Sequence, residues 1–211
     1  MSCGDLGGAA GLRGGAVLAP GTNVFLRERR GDHRSGTSCC APSGVKWLDY
    51  ELEFAAIVGA DQKLAGFTIL NDWSARDVQL GEMTCAAGPR KSKDFATSLG
   101  PWLVTIDELP YENGKLNLSG RVEINGDVVS ETSSELQHFS FEQMRSAAGR
   151  NTRLRPGDVF ASGTLDHGCI AEGGAPDEQR WLQLGDTVTL IVDGLGELHN
   201  TIESGQVGGR S

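Results

Sequence analysis

From residue 45 onward, apolar and polar residues alternate with a period of two and are punctuated by turn residues. Over 45–59, Leu48, Tyr50, Leu52 and Phe54 fall on one face and Asp49, Glu51 and Glu53 on the other, as in a strand with one covered and one polar side. Residues 66–71 and 101–106 read as further strands. Segments 116–124 and 128–131 flank Asn125-Gly126, two residues that tolerate positive φ, and this predicts a hairpin. Arg155-Pro156-Gly157-Asp158 turns into a strand at 159–161. Gly185-Asp186 opens a strand at 187–192, and Asp193-Gly194 turns into another at 196–202. Residues 74–80 read as a short helical turn with Ser74 at its N-cap. Ser140-Phe141-Glu142-Gln143 is a capping box opening a helix that runs to about Ala148. Short strands with one or two helices predict an α+β fold that is predominantly β.

Residues 1–44 are different. They hold 10 of the 30 glycines, carry a net charge of +2, and leave −11 on residues 45–211. They show no sustained hydrophobic period and too little apolar surface to offset the entropy of ordering. The expectation is an atypical, poorly ordered segment over 1–44 and a single domain over 45–211. The overall charge of −9 argues against nucleic acid, which selects a basic stripe, and against an anionic membrane surface. No apolar run approaches the roughly 20 residues that span a bilayer, and no apolar leader follows Met1. Five cysteines, two of them adjacent at Cys39 and Cys40, suit neither a disulfide framework nor a zinc site, so a cytoplasmic location is expected.

The candidate chemistry lies in four places. Glu51-Leu52-Glu53 sets two carboxylates on one face of a strand, about 6–7 Å apart by the rise per residue. They can converge on one hard cation, although a solvated strand face explains the spacing more simply. Asp72 ends the next apolar strand, and three oxygen ligands suit Mg²⁺, Ca²⁺ or Mn²⁺ rather than Zn²⁺. Arg76 and Gln79, at i and i+3, form a donor fork for an anion or else a local ion pair with Asp72 or Asp77. Lys91 and Lys93 follow the Gly88-Pro89 turn, either as a charged loop or as a cation beside the metal. Gly163-Thr164 ends a strand, as a turn or as a hydroxyl and backbone donors for a substrate oxygen. His33, His138, His167 and His199 have no partner at metal-ligand spacing. Phosphate-loop, dinucleotide, nucleophile-elbow and HExxH motifs are absent.

Several blocks together resemble the fumarylacetoacetate hydrolase family. They are Leu48-Asp49-Tyr50-Glu51-Leu52-Glu53, Asn71-Asp72-Trp73-Ser74-Ala75-Arg76-Asp77-Val78-Gln79, and Lys93-Asp94-Phe95-Ala96-Thr97-Ser98-Leu99-Gly100-Pro101-Trp102. Phe139-Ser140-Phe141-Glu142 and the run from Leu154 to Thr164 continue the match in family order, over roughly 43–203. The resemblance implies a mixed β-roll, usually a homodimer. It also implies a divalent cation, Mg²⁺ first and Mn²⁺ or Ca²⁺ next, on Glu51, Glu53 and Asp72. Arg76, Gln79 and Thr164 would contact a small anionic diketo acid. Lys93, which directly precedes the Asp-Phe-Ala-Thr block, would stabilise an enolate, and Glu172 resembles the acidic member of the water-activating pair. The implied activity is hydrolysis of a C–C bond in an acylpyruvate or fumaryl-type diketo acid. Decarboxylation or tautomerisation of a 2-keto diacid stays open. So does a metal-binding remnant, because the family's basic histidine lies upstream and only His33 stands there, in an unlike context. Removing Glu51 is expected to weaken cation binding and to relieve carboxylate repulsion in the metal-free fold.

Overall fold

The computed structural model describes residues 36–85 and 88–205, and before them the strand backbones Ala16–Val17, Asn23–Val24, Leu26–Arg27 and Asp32–Arg34. Two open sheets dominate. The first runs in the order Leu26–Arg27, Val159–Ala161, Leu52–Val58, Leu64–Asn71, Thr97–Thr105 and Asp32–Arg34. The second runs Asp127–Ser133, Ser119–Ile124, Thr187–Val192, Gly196–Ser204 and Thr37–Ala41. Neighbours are antiparallel except at one edge of each sheet. There Asp32–Arg34 pairs parallel with Thr97–Thr105, and Thr37–Ala41 with Gly196–Ser204. The expectation for residues 1–44 lies mostly outside the described residues; within them, Thr37–Ala41 is an edge strand of the second sheet.

The pattern of alternation explains most of this. The Asn125-Gly126 turn adopts φ of +55° and +89° and joins Ser119–Ile124 to Asp127–Ser133. Ser140 caps the helix Phe141–Ala148: its hydroxyl accepts from the Gln143 N–H while the Gln143 side chain accepts from the Ser140 N–H. That helix points Phe141 and Met144 inward. They join one apolar cluster with Leu52, Phe54 and Phe67 of the first sheet and Val122, Leu190 and Leu198 of the second. Phe67 and Phe141 meet edge to face at 4.6 Å between ring centres, the favoured geometry for two aromatic quadrupoles.

Two expectations are corrected. The 45–59 strand is broken. Leu48–Asp49 pairs with Ser74–Ala75, and the chain then shifts to pair Leu52–Val58 with Leu64–Asn71. Its acidic face is not solvated, for Asp49, Glu51 and Glu53 are all at most 8% exposed. Leu52–Val58 is flanked by strands on both edges, and Arg76 and Lys93 reach over Glu51. Nor does Ser74 cap the following helix. It is buried and extended, and its hydroxyl donates to the Asp72 carbonyl. The helix Arg76–Met83 starts instead from Ala75 and lacks a side-chain cap. The Arg76 N–H donates to the Trp47 carbonyl, and the Lys46 N–H to Asp77. None of this helix's residues is buried, and Val78, Leu80 and Met83 are exposed. No described helix is long and apolar enough to cross a membrane. Cys39, Cys85 and Cys169 are free.

Candidate metal centre

The break in the acidic strand builds the site. The Glu51 N–H donates to the Asn71 side chain and the Asp72 N–H to the Glu51 carbonyl, so the start of Leu52–Val58 and the end of Leu64–Asn71 are tied together. Glu51, Glu53 and Asp72 thereby turn into one place. A carboxylate oxygen from each lies within 4.8 Å of the others, and all three residues are buried. An all-oxygen set of this kind is the donor chemistry of a hard divalent cation.

Two basic side chains flank the trio. Lys93 Nζ stands 2.5 Å from Glu51 Oε2 and 3.2 Å from Asp72 Oδ2. Arg76 spans two carboxylates, with Nε 2.8 Å from Asp49 Oδ2 and Nη1 2.8 Å from Glu51 Oε1. Arg76 Nη1 also donates to Gln79 Oε1 at 2.9 Å, while its Nη2 is buried without a hydrogen-bond partner. Lys91, by contrast, is exposed and pairs with Asp94. Four buried carboxylates (Asp49, Glu51, Glu53 and Asp72) thus face two cations, a surplus of two negative charges when all four are ionised. A divalent cation carries the charge that would balance them, so the residues present fit one.

The electrostatics divide the two glutamates. Burial raises the Glu51 carboxyl, but Lys93 and Arg76 outweigh it and hold it below the ordinary value. Burial also raises Glu53, and the neighbouring Glu51 and Asp72 charges push it further, well above the usual range. Burial would lower the Lys93 ammonium, but Asp72 and Glu51 more than reverse that and keep it charged.

Of the residues singled out from the sequence, Glu51, Glu53, Asp72, Arg76, Gln79 and Lys93 come together. Thr164 lies in the stretch that continues Val159–Ala161 along the strand bearing Glu53, between Ser162, whose N–H donates to Phe54, and Leu165, whose N–H donates to Leu52. Glu172 is exposed on the 3₁₀ turn Ile170–Gly173. The backbone of His33 lies level with Ser98 in the first sheet, and its side chain is outside the described residues. Two neighbours were given no role from the sequence. Asp49, fully buried, accepts from Arg76 and from the N–H groups of Ile170 and Ala171, so it ties the arginine to the turn carrying Glu172. Its signal was the same alternation, read one step earlier as Asp-x-Glu-x-Glu. Glu82 follows Arg76 and Gln79 at the same spacing of three along the helix, and its carboxylate receives the N–H groups of Arg90 and Lys91.

The model of the fumarylacetoacetate (FAA) hydrolase C-terminal family matches residues 16–203. A fumarylacetoacetase of Oryza sativa subsp. japonica is 32% identical over 89% of this chain and 56% of its own length. A mitochondrial oxaloacetate tautomerase of Xenopus laevis is 30% identical over 76% of this chain and 51% of its own. The chain therefore spans about half the length of these curated relatives. Among solved structures, the fumarylpyruvate hydrolase of Pseudomonas aeruginosa, in complex with Mn²⁺ and pyruvate, superposes with a TM-score of 0.65. It is 21% identical and covers 82% of this chain and 74% of that one, so it shares the fold. With the match running from residue 16 almost to the end of the described chain, this protein belongs to the fumarylacetoacetate hydrolase family.

Proposed function

We propose that this chain is a divalent-cation-dependent hydrolase that cleaves a C–C bond in a small acylpyruvate or fumaryl-type diketo acid. One observation carries the reading: three buried carboxylate oxygens within 4.8 Å of one another, flanked by Lys93 and Arg76. Glu51, Glu53 and Asp72 would hold the cation, Mg²⁺ first among the candidates. When bound, it supplies Lewis-acid polarisation of the substrate oxygens. Arg76, with a buried donor to spare at Nη2, and Gln79 would bind the substrate carboxylate. Thr164 would donate to the opposite end. Water adds to the acyl carbonyl carbon, the adjacent C–C bond breaks, the acyl part leaves as the free acid, and the electron pair of the broken bond passes to the pyruvate fragment as its enolate. The Lys93 ammonium stabilises that negative charge, and protonation at carbon then completes pyruvate. Glu172 would assist in deprotonating the water.

A second reading, tautomerisation of a 2-keto diacid, is favoured by the similarity to the Xenopus tautomerase. The two are told apart by product: pyruvate plus a free acid for hydrolysis, an unchanged formula for tautomerisation. A homodimeric, cytosolic protein goes with either reading, and light scattering checks the assembly.

The test is loss of acylpyruvate absorbance in the presence of Mg²⁺ or Mn²⁺. Turnover by the wild-type chain is expected, together with a loss of about 100-fold or more in Lys93→Met, whose cation binding by calorimetry persists. A wild-type chain that binds the cation and turns over neither substrate class ends the proposal.

A further inference from the structure

The turn that carries Lys93 is held from outside the acidic trio. Glu82, on the last turn of the helix Arg76–Met83, reaches across to residues 90–92. Its Oε1 accepts the Lys91 N–H at 2.7 Å. Its Oε2 accepts the Arg90 N–H at 2.7 Å, the Ser92 hydroxyl at 2.6 Å and the Ser92 N–H at 3.3 Å. Three successive backbone N–H groups aimed at one anion form a nest, and here the anion is a side chain of the protein itself. Ser92 is fully buried, and its carbonyl accepts the Ala75 N–H, so the peptide preceding Lys93 is gripped on both sides. The next residue delivers Nζ between Glu51 and Asp72. The same helix holds Arg76 against Asp49 and Glu51. One eight-residue element thus carries the guanidinium at one end and fixes the ammonium from the other.

We propose that Glu82 is a positioning residue that clamps residues 90–92 and thereby sets the placement of Lys93 over the carboxylate trio. Its own carboxyl is held down to about 2: the N–H and hydroxyl donors of 90–92 outweigh the opposing effect of desolvation, so the clamp is anionic at any working pH. It does not touch the trio. Its loss therefore leaves the ligands in place while misplacing the ammonium by a fraction of its length, and displacements of about 1 Å can cost about 100-fold in rate. This inference rests on the proposed function for its catalytic consequence, but the clamp itself has a readout that needs no turnover.

The experiment compares the full-length wild type with Glu82→Gln, in which one acceptor becomes a donor facing N–H groups. Ser92→Ala, a milder change that deletes the hydroxyl alone, is run in parallel. Brief acetylation followed by peptide mass spectrometry reads the exposure of Lys93, with exposed Lys91 as internal reference. Labelling of Lys93 relative to Lys91 should rise about tenfold or more in Glu82→Gln and by less in Ser92→Ala. Acylpyruvate kcat should fall about 10–100-fold, with KM and Mg²⁺ affinity within twofold of wild type. Unchanged Lys93 labelling in both variants overturns the clamp, as does a loss of Mg²⁺ affinity parallel to kcat, which would mark a general collapse. If the wild type lacks turnover, the proposed function falls alone, and the labelling still decides for or against the clamp.

Discussion

Glu51 and Glu53 are the same side chain two positions apart, yet they sit in opposite fields. Glu51 is bonded by Lys93 and Arg76 and is held ionised, whereas Glu53 meets burial and two neighbouring carboxylates and is pushed up. This corrects the expectation that removing Glu51 relieves repulsion in the metal-free protein. Taking it away leaves two buried cations short of a partner, which costs about 3–5 kcal/mol when a buried pair is broken. Glu51→Gln should lower the urea midpoint of the cation-free protein, and Glu53→Gln should raise it; both should weaken Mg²⁺ binding by calorimetry. The i, i+2 spacing made the closeness of these two side chains legible from sequence. Their burial and their unlike fields were not, because both depend on Arg76 and Lys93, which lie 25 and 42 positions along the chain from Glu51.

Among the elements, those with local instructions were read best. Asn125-Gly126 and the Ser140–Gln143 capping box each satisfy their own backbone, so a few residues settle the outcome. The broken strand around Tyr50 and the uncapped start at Ala75 were misread because both are set by pairing between distant segments, Leu48–Asp49 against Ser74–Ala75. Helix Arg76–Met83 is accordingly tied by contacts rather than by its own ends, and Glu82 offers a pH test of this. Its folded value of about 2 lies below the ordinary 4.5. A depressed carboxylate stabilises the fold fully above about pH 4.5 and loses that contribution as pH falls towards 2. The difference in thermal midpoint between wild type and Glu82→Gln should therefore be largest near neutrality and shrink across that window. A difference that does not change with pH would mean that the carboxylate's charge plays no part in the tie.

At the scale of the molecule, the α+β, predominantly β architecture was legible from alternation and turn chemistry, while the order of strands in the two sheets was not. Sheet order arises from long-range pairing, such as Val159–Ala161 inserting beside Leu52–Val58, which carries no local signature. The sheets and the second helix meet through Phe67 and Phe141. Phe67→Ala should therefore cost about 3–5 kcal/mol in urea denaturation and lower the signals of all elements together. A loss restricted to one sheet would show that the two halves melt independently.

The first helix, with no side chain in the core, is moored to the body chiefly by charge and hydrogen bonds, yet it bears Arg76, Gln79 and Glu82. An element so attached can lift away without uncovering a core side chain of its own, so warming should silence the proposed activity before the fold melts. Catalysis should fade several degrees below the midpoint seen by circular dichroism and return fully on cooling, with amide exchange quickening first along this one segment.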